Sequence, residues 1–551
     1  QMCIRDSYKR ILLLASIAFS LSASAQVAKP MADVNGVNDV TFDSLAKAQT
    51  ARIVPGTSRR GNNPVLFLIG NSTMRNGTLG NGNNGQWGWG YFAHKYFDDK
   101  KITVENQALG GMSSRTFYTR LWEPIRQAIK PGDWVIISIG HNDNGPYDSG
   151  RARASIPGTG NDTLNVTIKE TGVKETVYTY GGYMRMYIND VRRAGGHPIL
   201  MSLTPRDAYD DNGKIVRTRH TEWLKTVARE ENVPFVDLCE RSAAKLDKYG
   251  RWKEQYHFFT DHIHTSKFGA EMNARSAAEG LAESTDPQLA PLQAMMQNVE
   301  PDRYDIDRSD NRPTVFITGD STVKNTDSDE DGMWGWGALA STIFNEKKIN
   351  VVNAAKAGRS LRSYLNEGRW DKVVNSLQAG DYVLIEFGHN DIGKIDEQKY
   401  RACIATADDT CHVYCLKDFK PMNGANAEYE VVYSFGWYLR KYIQDVREHG
   451  ATPVIVSLTP RNEWTNGKIE RRNGTYGKWY RQIAEETGTE FVDLHNLTAD
   501  YLDKKCGSKE KAMKYYNHDH THTSKLGAAT NAKNVAKGLK KNKSGLAKYL
   551  K

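Results

Sequence analysis

Short apolar runs alternate with longer amphipathic stretches along most of the chain. Four runs are largely apolar over four to six positions, which predicts buried β-strands: Val65–Ile69, Trp134–Ile139, Ile199–Leu203 and Phe235–Leu238. Residues Tyr183–Arg193 and His220–Glu231 instead carry apolar residues at the three- and four-residue spacing of an amphipathic helix. Because strands that alternate with helices form a parallel sheet covered by helices on both faces, the chain is predicted to be α/β.

The same series of short motifs occurs twice. Leu68–Thr73 returns as Ile317–Thr322, Gly140–Asp143 as Gly388–Asp391, and Asp261–Ser266 as Asp519–Ser524. The shift grows from 249 residues between Ser72 and Ser321 to 258 residues between His264 and His522, which predicts an insertion in the second copy around Cys403–Lys420. A repeat of this length indicates a duplicated domain rather than a solenoid unit.

The predicted layout follows from this repeat. The stretch from Glu283 to Arg312 is weakly periodic and contains Pro and Asp, so we place the linker within it. We predict a signal peptide over 1–25, an N-terminal segment over 26–63, a first domain over 64–285, a linker over 286–312 and a second domain over 313–551.

The start of the chain predicts export. Lys9 and Arg10 precede an apolar run from Ile11 to Leu21, and Ala23-Ser24-Ala25 follows it, as in a secretory signal peptide. That run is too short to span a bilayer of about 30 Å. We therefore expect a secreted or periplasmic protein with no membrane partner.

Charge and cysteines change this picture little. The net charge of +9 is spread over mixed Lys, Arg, Asp and Glu, which weakly favours an acidic glycan and gives no support for nucleic-acid binding. Cys239 ends an apolar run and is predicted to be a buried thiol. In an oxidising compartment one or two disulfides are expected among the other four cysteines after the signal peptide, with the pairing left open: Cys403, Cys411, Cys415 and Cys506.

Each copy carries residues suited to nucleophilic catalysis. Ser72 and Ser321 follow the first strand of their copies, where a tight turn can expose a hydroxyl, although a lone Ser there is commonly a helix cap. Near the end of each copy, an Asp precedes a His by three residues, the pairing that activates a serine: Asp261 with His264, and Asp519 with His522. His262 and His520 raise the alternative of a metal site, but no carboxylate cluster accompanies them, so we predict neither metal nor cofactor.

Acyl transfer also needs donors for an oxyanion. Gly111 and Gly358 allow a backbone N–H to approach a substrate closely, and Asn142 and Asn390 follow a strand in each copy with a side-chain amide. The alternative is that the glycines only turn the chain and the asparagines only cap a helix.

Together these blocks resemble the SGNH (GDSL-like) hydrolase superfamily, and they are most similar to rhamnogalacturonan acetylesterases. The second copy carries the resemblance best, in Gly319–Thr322, Ala357–Arg362, Gly388–Asp391 and Asp519–His522. The resemblance implies two three-layer α/β/α, flavodoxin-like domains. It also implies that Ser72 and Ser321 are nucleophiles, that His264 and His522 are bases oriented by Asp261 and Asp519, and that Gly111, Asn142, Gly358 and Asn390 form oxyanion holes.

The resemblance implies a secreted serine esterase that removes acetyl groups from plant cell-wall polysaccharide, foremost pectic rhamnogalacturonan. Three alternatives stay open: an esterase of acetylated xylan, sialic acid or cell-wall glycan; a glycan-binding protein with a degenerate domain; and a metal-dependent hydrolase. The oligomeric state is not predicted.

The first copy departs from the family at two positions. Asn71 stands where the family has Asp, and Met112 stands where the second copy has Arg359. Arg359 is a candidate for binding an acidic sugar, and Trp87 and Trp334 are candidates for stacking on sugar rings, with packing as the alternative.

Overall fold

The computed structural model describes residues 52–77, 79–249, 254–297, 299–324, 332–395, 400–416 and 428–551. The predicted signal peptide and the first part of the predicted N-terminal segment lie outside the described residues. Within the described part, the chain forms two α/β units with the same order of elements.

The first unit contains a five-stranded parallel sheet in the order β2-β1-β3-β6-β7. Its strands are β1 (Val65–Gly70), β2 (Thr103–Asn106), β3 (Trp134–Ser138), β6 (His197–Met201) and β7 (Phe235–Val236). The helices of this unit are α1 (Ser114–Arg120), α2 (Trp122–Ala128), α3 (Tyr180–Arg193), α4 (His220–Glu231), α5 (Leu238–Tyr249), α6 (Glu254–His257), α7 (Lys267–Ala282) and α8 (Ala290–Gln293).

The burial of strand β1 explains why the strands of the sheet appear as continuous apolar runs in the sequence. Val65, Phe67 and Ile69 enter one core, whereas Leu66 and Leu68 enter another on the opposite face, and all five are fully buried. Helices α1 to α4 cover the first core, and α7 with α8 covers the second. A strand buried on both faces needs apolar side chains at every position, so the unit has three α/β/α layers.

The second unit repeats this architecture. Its five-stranded parallel sheet has the order β9-β8-β10-β13-β16. The strands are β8 (Thr314–Gly319), β9 (Asn350–Asn353), β10 (Tyr382–Glu386), β13 (Thr452–Val456) and β16 (Glu490–Val492). The helices are α9 (Leu361–Asn366), α10 (Arg369–Ser376), α11 (Phe435–Glu448), α12 (Tyr476–Thr487), α13 (Leu494–Lys505), α14 (Lys509–Ala512) and α15 (Lys525–Lys541). The predicted fold class, two α/β/α domains with parallel sheets, is thus confirmed.

Each unit also carries an antiparallel hairpin before its long helix. These hairpins are β4–β5 (Thr163–Thr167 and Lys174–Tyr178) and β11–β12 (Cys411–Leu416 and Glu428–Tyr433); a small hairpin β14–β15 (Trp464–Thr465 and Lys468–Ile469) occurs in the second unit. The connection spans 168–173 in the first unit and 417–427 in the second, and the latter lies outside the described residues. The extra length therefore lies between Leu416 and Glu428, at the end of the range Cys403–Lys420 around which the sequence predicted an insertion.

The segment before the first strand of each unit is held by a matching ion pair. Arg59 forms an ion pair with buried Asp133 at 2.6 Å, and Arg308 forms the equivalent pair with Asp381 at 2.8 Å. Residues 287–293 add fully buried Leu289 and Leu292 to the first unit. The stretch predicted as a linker thus contributes its start to the first unit and its end to the second.

The cysteines correct one expectation. All five cysteines within the described residues carry free thiols, so the predicted disulfides do not form in this structure. The Cys403 thiol instead donates to Asp391 Oδ1 at 3.1 Å, and Cys411 and Cys415 lie four residues apart on one strand, out of reach of each other. Among the helices of the described ranges, none is long and apolar enough to cross a membrane.

Candidate active site

The candidate sites lie at the carboxyl ends of the two sheets. Ser72 and Ser321 are each the second residue after the first strand, β1 or β8. The Asp and His of each unit lie in the turn before α7 or α15. Ligand sites in open parallel sheets are found at this edge.

In the first unit, the three predicted residues are hydrogen-bonded in series. His264 Nε2 lies 2.8 Å from Ser72 Oγ, and His264 Nδ1 lies 2.6 Å from Asp261 Oδ2. The other carboxylate oxygen, Oδ1, accepts the backbone N–H groups of Ile263 and His264 at 2.8 and 2.7 Å. Ser72, His264 and Asp261 therefore have the geometry that a serine nucleophile and its activating pair require.

The second unit reproduces this arrangement. Ser321 Oγ lies 2.9 Å from His522 Nε2, and His522 Nδ1 lies 2.6 Å from Asp519 Oδ2. Asp519 Oδ1 accepts the N–H groups of Thr521 and His522, each at 2.7 Å. Both sets of three residues are brought together at distances suited to proton transfer.

Both carboxylates are held in their charged form. Partial burial alone would raise the pKa of Asp261, but hydrogen bonds from the ring and backbone of His264 outweigh it and hold the pKa at about 2. The same balance between burial and the His522 hydrogen bonds lowers the pKa of Asp519. A charged Asp fixes the proton on Nδ1 of the histidine, which leaves Nε2 free to accept the serine proton.

The predicted oxyanion donors adjoin one another in both units. Gly111 and Gly358 each have φ of +77°, in the left-handed region where glycine is favoured. The Asn142 amide donates to the carbonyl of the residue after Gly111 at 3.0 Å, and Asn390 donates to the carbonyl of the residue after Gly358 at 3.1 Å. Each amide has a second N–H, which leaves a donor for a developing oxyanion.

A buried aspartate next to each asparagine was missed by the sequence analysis. Asp143 accepts from Ser114 N at 3.0 Å and Ser155 Oγ at 2.8 Å, and burial raises its pKa to about 6. These bonds tie the turn that carries Asn142 to the start of α1, so Asp143 positions the amide.

The second unit makes the same tie with different donors. Asp391 accepts from Leu361 N at 3.0 Å and from the Cys403 thiol, and burial raises the pKa of Asp391 to about 7. Cys403 thus occupies the place of Ser155, which explains why it is a buried free thiol.

The histidines of the two Gly-His-Asn-Asp blocks have a packing role. His141 Nε2 lies 3.2 Å from Thr204 Oγ1, and His389 Nε2 lies 3.2 Å from Thr459 Oγ1. Both rings are buried, and burial lowers the pKa of both imidazoles. They are therefore neutral near pH 7 and lie under the site as hydrogen-bonded core residues.

The two tryptophan candidates differ. Trp87 is only 1% exposed and packs against Tyr91 and Phe92 with ring centroids 4.9 and 5.4 Å away, so it is a core residue and does not stack on a sugar in this structure. Trp334 is half-buried, and the ammonium of Lys525 lies 4.5 Å from its ring centroid. Of the two tryptophans, Trp334 is the one that is partly exposed.

Arg359 lies at the second site, but its guanidinium group is already paired with a carboxylate. Its Nε lies 3.0 Å from both carboxylate oxygens of Glu367, and its carbonyl accepts from Asn390. Met112, at the equivalent place, is buried in the first core. The sequence difference therefore exchanges a paired surface charge for core packing.

A repeated arginine contacts the glycine of the predicted oxyanion hole in both units. Arg153 donates to the carbonyl of Gly111 at 3.3 Å, and Arg401 donates to the carbonyl of Gly358 at 3.2 Å. Both follow the same pattern, Arg-Ala-Ser in the first unit and Arg-Ala-Cys in the second. That repeat was the signal from which the sequence analysis could have found them.

The environment of the nucleophile differs between units by a pair of buried acids. Asp320 and Glu386 are both buried beside Ser321, whereas Asn71 and Ser138 occupy these places in the first unit. Asn71 keeps the bonds of Asp320, because each accepts the N–H and hydroxyl of the threonine two residues later. The first unit therefore lacks both buried acids.

Hydrogen-bond counting shows that one of the two acids is protonated. The Thr322 hydroxyl lies 2.9 Å from Asp320 Oδ1 and 3.0 Å from Glu386 Oε1, but it has one proton to donate. Glu386 also accepts from Trp336 Nε1. Burial, followed by the charge of Asp320, raises the pKa of Glu386 to about 8, so Glu386 carries the proton.

We expect Glu386→Gln to remove a pH dependence of stability from the second unit. An acid whose pKa is raised from 4.5 to about 8 on folding stabilises the fold fully below pH 4.5, and this contribution is lost as the pH rises to 8. The loss amounts to roughly 4 kcal/mol. Glutamine keeps both hydrogen bonds, so chemical denaturation from pH 5 to 8 should show a flatter free energy of unfolding. Exposed Glu346→Gln is the control, and an unchanged slope in Glu386→Gln would contradict this account.

Within the described ranges, no group of three or more His, Cys, Asp and Glu side chains is placed to hold a metal ion. The histidines of the His-x-His pairs have different partners. His264 and His522 contact the serines, whereas His520 Nε2 lies 3.3 Å from Glu463.

Comparisons with known proteins agree with two related units. The profile of GDSL-like Lipase/Acylhydrolase matches residues 66–276, and that of the GDSL-like Lipase/Acylhydrolase family matches residues 317–529. The chain is 32% identical over 218 residues to a rhamnogalacturonan acetylesterase of Emericella nidulans, covering 39% of this chain and 80% of that protein. It is 31% identical over 238 residues to the rhamnogalacturonan acetylesterase RhgT of Bacillus subtilis, covering 41% and 88%. A solved acetylxylan esterase, Axe2 of Geobacillus stearothermophilus, is 20% identical over 41% of this chain and 94% of that one, with a TM-score of 0.29.

Proposed function

Because the chain belongs to the GDSL-like lipase/acylhydrolase family, we propose that it is a secreted serine esterase that removes acetyl groups from pectic rhamnogalacturonan. The observation that carries this proposal is the pair of Ser–His–Asp arrangements, with serine–histidine distances of 2.8 and 2.9 Å. Such a pair of sites supports ester hydrolysis in both domains.

The proposed reaction has two steps at each site. Ser321 Oγ attacks the acetyl carbonyl while His522 takes its proton, and the N–H groups of Ser321 and Gly358 with the Asn390 amide stabilise the oxyanion. His522 then protonates the departing sugar oxygen. A water molecule, deprotonated by the same histidine, attacks the acetyl-serine, and acetate leaves as the serine regains its proton. Ser72 and His264 act in the same way in the first domain.

The choice of substrate rests on relatives and on charge. Two relatives are named rhamnogalacturonan acetylesterases. A pectic backbone carries uronate carboxylates, and each proposed oxyanion hole has an arginine at its edge, Arg153 or Arg401. Guanidinium groups suit carboxylate recognition. The net charge of +9 favours an acidic polymer as well.

Export rests on the sequence of residues 1–25, where Lys9 and Arg10 precede the apolar run and a small-residue cleavage site. Mass spectrometry of the exported protein tests this part: a mature N-terminus at Gln26 supports it, and retention of the uncleaved chain in the cell refutes it.

A substrate panel tests the proposed function. Acetate release is measured from acetylated rhamnogalacturonan, acetylated xylan and a small acetyl ester, with the Ser72→Ala/Ser321→Ala variant as background. We expect the highest kcat/KM on rhamnogalacturonan. Turnover of the small ester with none of rhamnogalacturonan would keep the chemistry and refute the substrate. Binding of the polymer without acetate release from any substrate would refute the esterase.

A further inference from the structure

The two domains touch through the segment that carries the first site. Residues 256–268, here called the catalytic hairpin, run from Tyr256 through the tip with Asp261 and His264 to Phe268. Its arms are joined by hydrogen bonds from Phe259 N to His264 O at 2.9 Å and from Ser266 N to His257 O at 3.0 Å. Any movement of these arms therefore moves the histidine at the tip.

Trp437 of the second domain contacts both ends of the catalytic hairpin. Its ring centroid lies 4.9 Å from that of Tyr256 in an edge-on contact, and 5.9 Å from that of Phe268 in a stacked contact. Tyr433 of the same domain stacks on Trp437 at 3.6 Å, and its ring centroid lies 6.4 Å from that of Phe268. Trp437 and Tyr256 are 3% and 1% exposed, so the contact is fully buried.

A cation reinforces this aromatic contact. The ammonium of Lys441, one turn after Trp437 on α11, lies 5.3 Å from the ring centroid of Tyr256 and 5.4 Å from that of Phe268. It also pairs with Asp445 at 2.9 Å, which holds the ammonium in place. A partly desolvated cation over two rings adds to the attraction between the domains.

At the equivalent described positions of the repeat, the aromatic residues that make this contact are replaced. Lys514 and Leu526 take the places of Tyr256 and Phe268 in the second domain, and Leu526 is 48% exposed. Gly182 stands where Trp437 stands in the second domain. The surface that receives a hairpin therefore exists on α11 and not on α3.

The two domains also differ in how they hold their own hairpins. In the second domain, the Tyr516 hydroxyl donates to Pro460 O at 2.8 Å. Phe258 occupies the equivalent place in the first domain and has no hydroxyl. The first domain holds the tip through Gln86, which donates to Phe259 O at 3.1 Å. The first domain also binds the returning arm, because Trp87 N donates to Thr265 O at 2.9 Å. The bases of the two arms, Tyr256 and Phe268, contact the second domain in addition.

We propose that the second domain positions the catalytic machinery of the first, with Trp437 as the positioning residue for His264. This inference rests on the proposed function, because it assumes that His264 activates Ser72. The second site has no such dependence, since Lys514 and Leu526 replace the two aromatic residues that make this contact.

Paired backgrounds separate the two sites. In Ser321→Ala, where only the first site turns over a small acetyl ester, we expect Trp437→Ala to lower kcat by roughly ten- to a hundredfold with little change in KM, because misplaced catalytic groups slow the chemical step. In Ser72→Ala, Trp437→Ala should leave kcat unchanged, which also shows that the second domain remains folded. Leu526→Ala, at the place equivalent to Phe268, is the matched control and should leave the first site unaffected.

A variant on the first domain's side of the contact controls for a local folding defect in α11. Phe268→Ala should lower the kcat of the first site to a similar extent, and the double variant with Trp437→Ala should lose little more, because both remove one contact. Additive losses, equal losses at both sites or an unchanged first site would overturn the proposal.

Hydrogen exchange provides a readout that does not depend on activity. In Trp437→Ala, the peptide over 256–268 should exchange faster while that over 514–526 stays unchanged. Unaltered exchange over 256–268 overturns the proposal. Faster exchange in a protein whose first site is inactive from the start would instead refute the proposed function of that site and leave the anchoring established.

Discussion

Replacing Ser72 and Ser321 together with alanine should reduce acetate release to the background rate, a loss of at least about a thousandfold. In the proposed reaction each hydroxyl forms the acetyl-enzyme, and each lies within 2.9 Å of its histidine. Alanine removes the nucleophile and leaves the oxyanion donors in place, so only slow attack by water remains. Acetate release from an acetylated glycan, followed over hours at high enzyme concentration, measures the loss.

The single variants divide the activity between the domains. Ser72→Ala should retain the turnover of the second site and Ser321→Ala that of the first, so that their rates sum to the rate of the unchanged protein. The exposed Ser309 provides a control, because Ser309→Ala should have no effect. If Ser321→Ala alone abolished acetate release, the first domain would be a binding module. Retained turnover in the double variant would refute both nucleophiles.

The second large effect is expected for Asp519→Asn, measured in the Ser72→Ala background, with a loss in kcat of about 10⁴-fold. Asp519 accepts three hydrogen bonds, from the ring and backbone of His522 and from Thr521 N. An asparagine amide can donate to His522 Nδ1, which moves the ring proton to Nε2. His522 then cannot accept the proton of Ser321, although the geometry of the turn is kept.

A neighbouring carboxylate provides the control for this substitution. Asp500 is exposed and pairs with Arg471 away from the site, so Asp500→Asn should leave kcat within about twofold. The loss in Asp519→Asn should appear in kcat on a small acetyl ester as well as on a polymer, because it concerns the chemical step. A loss confined to KM would contradict the assigned role of the carboxylate.

The sheet could be predicted from sequence where burial left a continuous apolar run. Strand β1 is fully buried on both faces and was predicted to within one residue. Strand β6 begins at His197, two residues before the prediction, because the polar His and the following Pro hide its start. Helix α3 begins at Tyr180, three residues early, since the Thr179 side chain caps it before a glycine pair that lowers helix propensity.

The serines, histidines and aspartates of the candidate sites stood out because they recur in short repeated motifs. Asp143 and Asp391 were missed, since their importance lies in hydrogen bonds to distant segments rather than in a local pattern. Stacking and packing both stayed open for Trp87, because an aromatic residue at a repeated position does not reveal which side of the chain is covered. The contact of Trp437 with Tyr256 joins residues that the sequence separates by most of a domain.

That last contact has a consequence for the order in which the chain matures during synthesis. The core of the first domain closes at Met296, which pairs with Phe97, so this domain can fold before the second has been made. Trp437 is added about 140 residues later. At about 5 to 20 residues per second, the ribosome needs roughly 7 to 28 s to cover that distance. Under the proposed positioning of His264 by Trp437, the first site is therefore completed late, when the nascent chain already contains most of the second domain.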